Sequence, residues 1–354
     1  MRPQLRDDLA MMEGYHSAQV DVSVRLNTNE SPAPPPPGFV DAVGEAVRSI
    51  DWHRYPDRSA TALRGAIAAR YAQPTERVFV ANGSNEVLQC ALLAYGGVGR
   101  RALVFEPTYA LHSHIARVTG TEVISAPRDD DFNLDVDAAL EAIDSEHPDV
   151  IFLCSPNNPS GTVDPEGLAA AVVERAQRDG ALVIVDEAYG QFSPRSAVSL
   201  IDDERPLLVT RTFSKTWSMA AARLGYGLGP SWLIEGLEAV VLPYHVDAFK
   251  QAAGLAALEY GDEMAARVAA IVEQRGSIAN ALTELDVHLW PSGANFILFR
   301  PISRSGDEVW QRLVDHSILV RNCASWPGLE GCLRVTVGSP AENVAFIEAL
   351  KEIL

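Results

Sequence analysis

Apolar and polar positions along the chain change their spacing several times, and those changes mark out its elements. Runs of consecutive apolar residues at 78–81, 102–105, 150–154, 181–185 and 207–210 read as strands buried on both faces, with further candidates at 122–125 and 226–228. Between most of them lie Ala- and Leu-rich stretches of helical periodicity, such as 86–95 and 168–178. This alternation predicts βαβ units and an α/β fold around a mostly parallel sheet. A long helical region over 230–285 follows, then short strands near 295–299, 318–321 and 332–337 interleaved with helices, an α+β pattern. Ser339, Pro340 and Glu342 open the last helix as a capping box, with serine at the cap, proline in the first position and glutamate in the third. At the other end, residues 1–30 are polar apart from an alternating run at 20–26. The segment 32–38, Pro-Ala-Pro-Pro-Pro-Pro-Gly, is a stiff, extended connector.

Composition changes this picture in three respects. Of 354 residues, 47% are apolar and 21% charged, enough for a sizeable core shared between two domains. The net charge of −18 repels polyanions, so nucleic-acid binding has no electrostatic footprint. No apolar run approaches the roughly 18 residues of a membrane span. The N-terminus turns acidic before a signal segment can form, and Cys90, Cys154, Cys323 and Cys332 fit no metal spacing. A cytoplasmic protein with no metal, no nucleic-acid partner and no membrane partner is expected. Finally, only Lys215, Lys250 and Lys351 among the 29 basic residues are lysines. A GC-rich genome or adaptation to salt accounts for the arginines. A lysine kept in such a chain is a candidate for amine chemistry, because arginine does not deprotonate.

Four predicted strands end in polar turns. The first runs Asn82-Gly83-Ser84-Asn85-Glu86 into a helix, with Gly83 for a tight turn and Ser84 or Asn85 as cap, a ready phosphate site. The second continues Ser155-Pro156-Asn157-Asn158-Pro159-Ser160-Gly161, which reads as two prolines holding a pair of amides in an extended segment. The third ends in Asp186, with Tyr189 beyond it; a carboxylate directly after a buried apolar run needs a cationic partner. The fourth ends Thr212-Phe213-Ser214-Lys215, with Arg223 downstream, and desolvation beside arginines pushes such a lysine toward the free amine. In a doubly wound sheet these ends converge on one side. A phosphate nest, an amide, a buried carboxylate and an amine together suit pyridoxal 5′-phosphate. A nicotinamide dehydrogenase would need a GxGxxG turn after the first strand, and none is there.

These residues resemble the class I/II aminotransferases of pyridoxal-phosphate fold type I. The resemblance runs from Tyr15 to the last helix, through Asn27-Thr28-Asn29-Glu30, Arg54-Tyr55-Pro56-Asp57, Pro107-Thr108-Tyr109, the 155–161 run, Asp186 to Tyr189, Thr212 to Lys215 with Arg223, Ala294-Asn295-Phe296 and Arg334-Val335-Thr336. It implies a large domain with a seven-stranded sheet over 38–245 and a smaller α+β domain over 246–354. An arm and connector over 1–37 would pack on the smaller domain. It implies Lys215 as the Schiff-base lysine and proton shuttle, Asp186 on the ring nitrogen, and Asn158 and Tyr189 on the phenolic oxygen. Tyr109 would stack on the ring; Ser84, Asn85, Ser214 and Arg223 would hold the phosphate; Thr212 would line the site. Tyr55 would reach the phosphate of a neighbouring subunit, making a homodimer with shared active sites. Tyr15, Asn29, Arg321 and Arg334 match substrate positions, and two arginines suit an anionic group. Alternation within 333–336 sets Leu333 and Val335 on one face and Arg334 and Thr336 on the other. The implied reaction is amino transfer between L-histidinol phosphate and 2-oxoglutarate, with an aromatic amino-acid aminotransferase, a threonine-phosphate decarboxylase and a non-catalytic cofactor-binding regulator as alternatives. Three departures from the family pattern bear on the substrate: Ala220-Ala221-Ala222 before Arg223, His112 where a second aromatic is common, and Ser31 after Glu30.

Overall fold

The computed structural model describes residues 2–6, 9, 14 and 19–354. Regular structure begins with β1 (Val24–Leu26) and the helices α1 (Phe39–Arg48) and α2 (Thr61–Arg70). There follow β2 (Val78–Ala81), α3 (Ser84–Tyr95), β3 (Arg101–Glu106), α4 (Leu111–Val118), β4 (Glu122–Pro127), α5 (Val136–Glu146), β5 (Val150–Cys154), α6 (Leu168–Asp179), β6 (Leu182–Asp186), β7 (Leu207–Thr212) and β8 (Gly225–Leu228). The helical region expected over 230–285 is three helices, α7 (Ser231–Val240), α8 (Ala248–Glu259) and α9 (Gly261–Thr283). The chain closes with β9 (Val287–Leu289), β10 (Phe296–Pro301), α10 (Gly306–Asp315), β11 (Ile318–Asn322), β12 (Leu333–Thr336) and α11 (Pro340–Ile353).

Strands β2 to β8 form one seven-stranded sheet in the order β2-β8-β7-β6-β5-β3-β4, parallel throughout except for β8. Its apolar runs are buried on both faces, and period-two alternation divides each run between two cores. On β5, Val150 and Phe152 join α3, α4 and α7 on one side, whereas Ile151 and Leu153 join α2, α5 and α6 on the other. The winding reverses between β3, which leads outward to β4, and β5, which leads the other way to β6 and β7. A crevice at the carboxyl ends is therefore expected at that point.

The second sheet, β1-β11-β12-β10-β9, is antiparallel apart from the β1–β11 pair and is backed by α9, α10 and α11. Of the alternating run at 20–26 only Val24–Leu26 forms a strand, zipped to β11, with Leu26 in the second core. Helix α8 lies beyond the expected division at 246, yet Ala253 and Ala257 sit in the first core. The α11 capping box forms in both directions, Glu342 N–H to Ser339 Oγ at 3.4 Å and Ser339 N–H to Glu342 Oε2 at 2.7 Å, and is worth about 1 kcal/mol. No helix among the described residues is long and apolar enough to cross a membrane.

Candidate active site

The reversal point opens on a cavity of about 390 Å³ between the two sheets. Ser84, Asn85, Tyr109, Asn158, Asp186, Tyr189, Thr212, Ser214, Lys215 and Arg223 line it from the large sheet. Asn29 and Arg334 line it from the other side.

Lys215 follows β7 by three residues, and its Nζ donates to Thr28 O at 3.0 Å. Burial pulls its pKa down to about 7, and the Arg334 and Arg223 guanidiniums act in the same direction against Glu30. The amine is therefore about half neutral near pH 7. Nζ also lies 5.8 Å from the centre of the Tyr189 ring.

Asp186 is the last residue of β6 and is buried. Its Oδ1 accepts from Thr210 Oγ1 at 3.1 Å and from the Ala188 N–H at 3.0 Å; its Oδ2 lies 3.0 Å from His112 Nε2. Where the sequence led to a cationic partner, the carboxylate meets a buried imidazole, reached from α4. His112 is fully buried, stacked on Phe152 at 4.7 Å and edge-on to Tyr109 at 5.5 Å. Sequence reasoning noted His112 only as a departure; its spacing of three from Tyr109, one helical turn, was the available signal. His112, Cys154 and Asp186 place ligand-type atoms within 4.8 Å of one another, but the carboxylate is already hydrogen-bonded to the imidazole.

Two expectations about the turns are corrected. The 155–161 run is folded, not extended. Gly161 N–H donates to Asn157 O and Asn157 N–H to Thr162 O, both at 2.8 Å, and the bonds before Pro156 and Pro159 are cis. The cap of α3 is Gly83 at φ +81°, with no side-chain cap, so Ser84 and Asn85 are the first helical residues rather than caps. A Cβ on Gly83 would come within 2.9 Å of Arg223 Nη2, and one on Gly225 within 2.3 Å of the Ser84 nitrogen. Both positions need glycine for β8 and Arg223 to approach the helix start. Arg223 takes φ +50° after the one-turn 220–222 helix and donates to Ser214 Oγ at 3.2 Å.

On the opposite wall Arg334 donates to Asn158 Oδ1 and, at 3.0 Å, to Asn27 O, with its guanidinium 5.0 Å from the Phe296 ring centre. Leu333 and Val335 point into the second core, as the alternation predicts. Asn29 donates to the Tyr189 hydroxyl at 2.9 Å, and burial pushes that phenol up to about 12, so it keeps its proton. Arg321 sits directly across the ladder from Arg334, on the same face, 5.0 Å from the Trp326 ring centre. Tyr55 is outside the cavity, 79% exposed and stacked on Tyr244 at 4.5 Å. Tyr15 lies outside the described residues.

Residues 22–350 match the family described as aminotransferase class I and II. The chain is 43% identical to the histidinol-phosphate aminotransferase of Frankia casuarinae over 99% of its own length and 90% of the relative's. It is also 43% identical to that of Mycolicibacterium smegmatis, over 99% and 93%. The fold superposes on the crystal structure of histidinol-phosphate aminotransferase from Sinorhizobium meliloti in complex with pyridoxal-5′-phosphate. The TM-score is 0.84 at 24% identity, covering 94% of this chain and 91% of that one.

Proposed function

We propose that this chain, which belongs to the class I and II aminotransferase family, moves an amino group between L-histidinol phosphate and 2-oxoglutarate with pyridoxal 5′-phosphate as cofactor. The observation that carries the reading is the meeting in one cavity of a buried amine, a buried carboxylate and an anion-binding guanidinium, Lys215, Asp186 and Arg334.

The donor set fits the cofactor. Gly83 and Gly225 clear the backbone approach that a phosphate cup at the start of α3 requires, and a Cβ at either would close it. The hydroxyls of Ser84, Thr212 and Ser214, the Asn85 amide and Arg223 would bind the phosphate there, and Tyr109 would stack on the ring. Asp186, locked by Thr210 and His112, would hold the proton on the ring nitrogen. Tyr189 keeps its hydroxyl proton and would donate it toward the phenolic oxygen. Arg334 occupies Asn158 Oδ1, leaving the amide N–H donors for the same oxygen. When bound, pyridoxal phosphate supplies an aldehyde that condenses with amines and a cationic ring that draws electrons from the amine-bearing carbon. Lys215 Nζ would take the proton from that carbon and hold it for return, a task suited to an amine balanced near neutrality. Arg334 and Arg321, with Asn29, would bind and orient the anionic substrate.

Tyr55, exposed beside Tyr244, would serve the site of a second copy, giving a homodimer. Four free, buried cysteines suit the reducing cytoplasm read from the sequence. The test is a panel of amino donors with 2-oxoglutarate. Histidinol phosphate should exceed phenylalanine and threonine phosphate in kcat/KM by tenfold or more (about 1.4 kcal/mol). Preference for phenylalanine, or release of CO₂ from threonine phosphate, sinks the assignment.

A further inference from the structure

The loop joining β11 to β12 carries a residue that touches both domains at once. It is compact. Cys323 N–H donates to Cys332 O at 2.9 Å, closing the ends, and successive turns run Trp326 to Cys323, Leu329 to Trp326 and Cys332 to Leu329 at 3.0–3.2 Å. Cys323, Leu329 and Cys332 plug it from inside, packed with Phe132, Trp290 and Leu298. Trp326 is held in this plug at 7% exposure and uses both its ring and its edge. The ring face lies 5.0 Å from the Arg321 guanidinium, and the indole N–H donates to Thr108 O at 3.1 Å. Thr108 is the residue before Tyr109 and is itself fixed, donating to Asn157 Oδ1 at 3.0 Å.

We propose that Trp326 is a positioning residue for the anionic end of the substrate. Its ring holds the Arg321 guanidinium beside Arg334, and its N–H anchors that ring to the large domain next to Tyr109. The proposal rests on the reading of Arg321 as a ligand of the donor's phosphate. An arginine side chain has several rotatable bonds, and an aromatic face limits them without consuming the N–H donors that the phosphate needs. A hydrogen-bonding partner in the same place would compete for those donors. Arg334 rests on Phe296 in the same way, at the same 5.0 Å.

The test compares Trp326→Leu, which removes ring and anchor, with Trp326→Phe, which keeps a ring face, in the cofactor-loaded enzyme. The donors are histidinol phosphate and histidinol, which differ only in the phosphate. The Leu variant should raise KM for histidinol phosphate about tenfold with kcat within twofold, so that the preference for the phosphorylated donor falls about tenfold. The inhibition constant of inorganic phosphate should rise with it. The Phe variant should keep its preference within about threefold of wild type, because the cation–ring contact survives. A Leu variant with unchanged preference overturns the proposal. So does one in which both donors lose equally, since that marks a merely structural residue, and so does a Phe variant that falls as far as the Leu variant. Arg321→Gln separates the premise from the inference. If it lowers the preference while Trp326→Leu does not, the reading of Arg321 stands and Trp326 is not its support. If it leaves the preference unchanged, the reading of Arg321 fails and the proposal falls with it.

Discussion

The two walls of the cavity are built on different principles. On the large-domain wall most candidate groups lie at a strand end or within four residues beyond one: Ser84 after β2, Tyr109 after β3, Asn158 after β5, Asp186 and Tyr189 at β6, Lys215 after β7; Arg223 instead just precedes β8. Their positions follow from the ends of a sheet packed between two cores. On the small-domain wall Arg334 stands inside a ladder, with Arg321 opposite it in register but outside the cavity lining. Their supports cross to the other domain, Arg334 to Asn158 and the Arg321-bearing Trp326 to Thr108. On the proposed function the first wall would fix the chemistry. The second fixes what is presented to it, through contacts that can be altered one at a time without moving a strand end.

The hardest blow to the first wall is at Lys215. Lys215→Ala should lower turnover by about 10³-fold or more, because covalent attachment and proton transfer both go. Lys215→Arg should be nearly as inactive, since a guanidinium is never a free amine at neutral pH. The purified wild type should be yellow and these variants should lose the lysine-bound cofactor band. Transamination by either variant within tenfold of wild type would show that the proton shuttle lies elsewhere.

Asp186→Asn comes next. The variant should still load cofactor, because the phosphate cup and Tyr109 are untouched. Proton removal from the substrate should slow by about 10²-fold, as expected when one partner of a buried ion pair is neutralised. A single-turnover measurement with a deuterated amine-bearing carbon should show a larger isotope effect than wild type. Unchanged single-turnover rates would place the ring-nitrogen partner elsewhere.

The same contrast explains what could be read from the sequence. Groups on the first wall sit in short contiguous runs, strand then turn, where buried apolar residues give way abruptly to Asn, Asp, Ser or Lys. Such breaks in pattern are visible without a structure. His112 carries only a weak local signal, its spacing from Tyr109, because it reaches Asp186 from the face of α4, 74 residues away. Arg334 was legible from period-two alternation, but its pairing with Arg321 depends on register between two strands joined by a ten-residue loop, and the loop's contribution through Trp326 depends on the plug inside it. The α3 cap was misplaced by one or two residues because Gly83 can take φ +81° and replace a side-chain cap with backbone freedom. Strand β9 was missed because Val-His-Leu is a half-buried edge of three residues, too short for a periodic signal.

The smallest effect tests whether the first wall is complete within one chain. Tyr55 is exposed and stacked on Tyr244 at 4.5 Å, and Trp52, also exposed, lies edge-on to Phe249 at 5.1 Å, apolar surface of the kind a second copy would cover. If Tyr55 serves the partner's phosphate, a site draws Lys215 from one chain and Tyr55 from the other. Tyr55→Ala dimers should then be weakened and Lys215→Ala dimers inactive. A mixed dimer would contain one doubly damaged site and one intact site. After co-refolding equal amounts, about half the dimers are mixed, so about a quarter of all sites should be wild type. Activity of the mixture should exceed that of either parent, and phosphate-dependent cofactor affinity should recover in the same fraction. Were Tyr55 to act within its own chain, each mixed dimer would hold one site of each parental type, and the mixture would show only the average of its parents. That average would remove the intersubunit role while leaving the strand-end chemistry of Lys215 and Asp186 where it is.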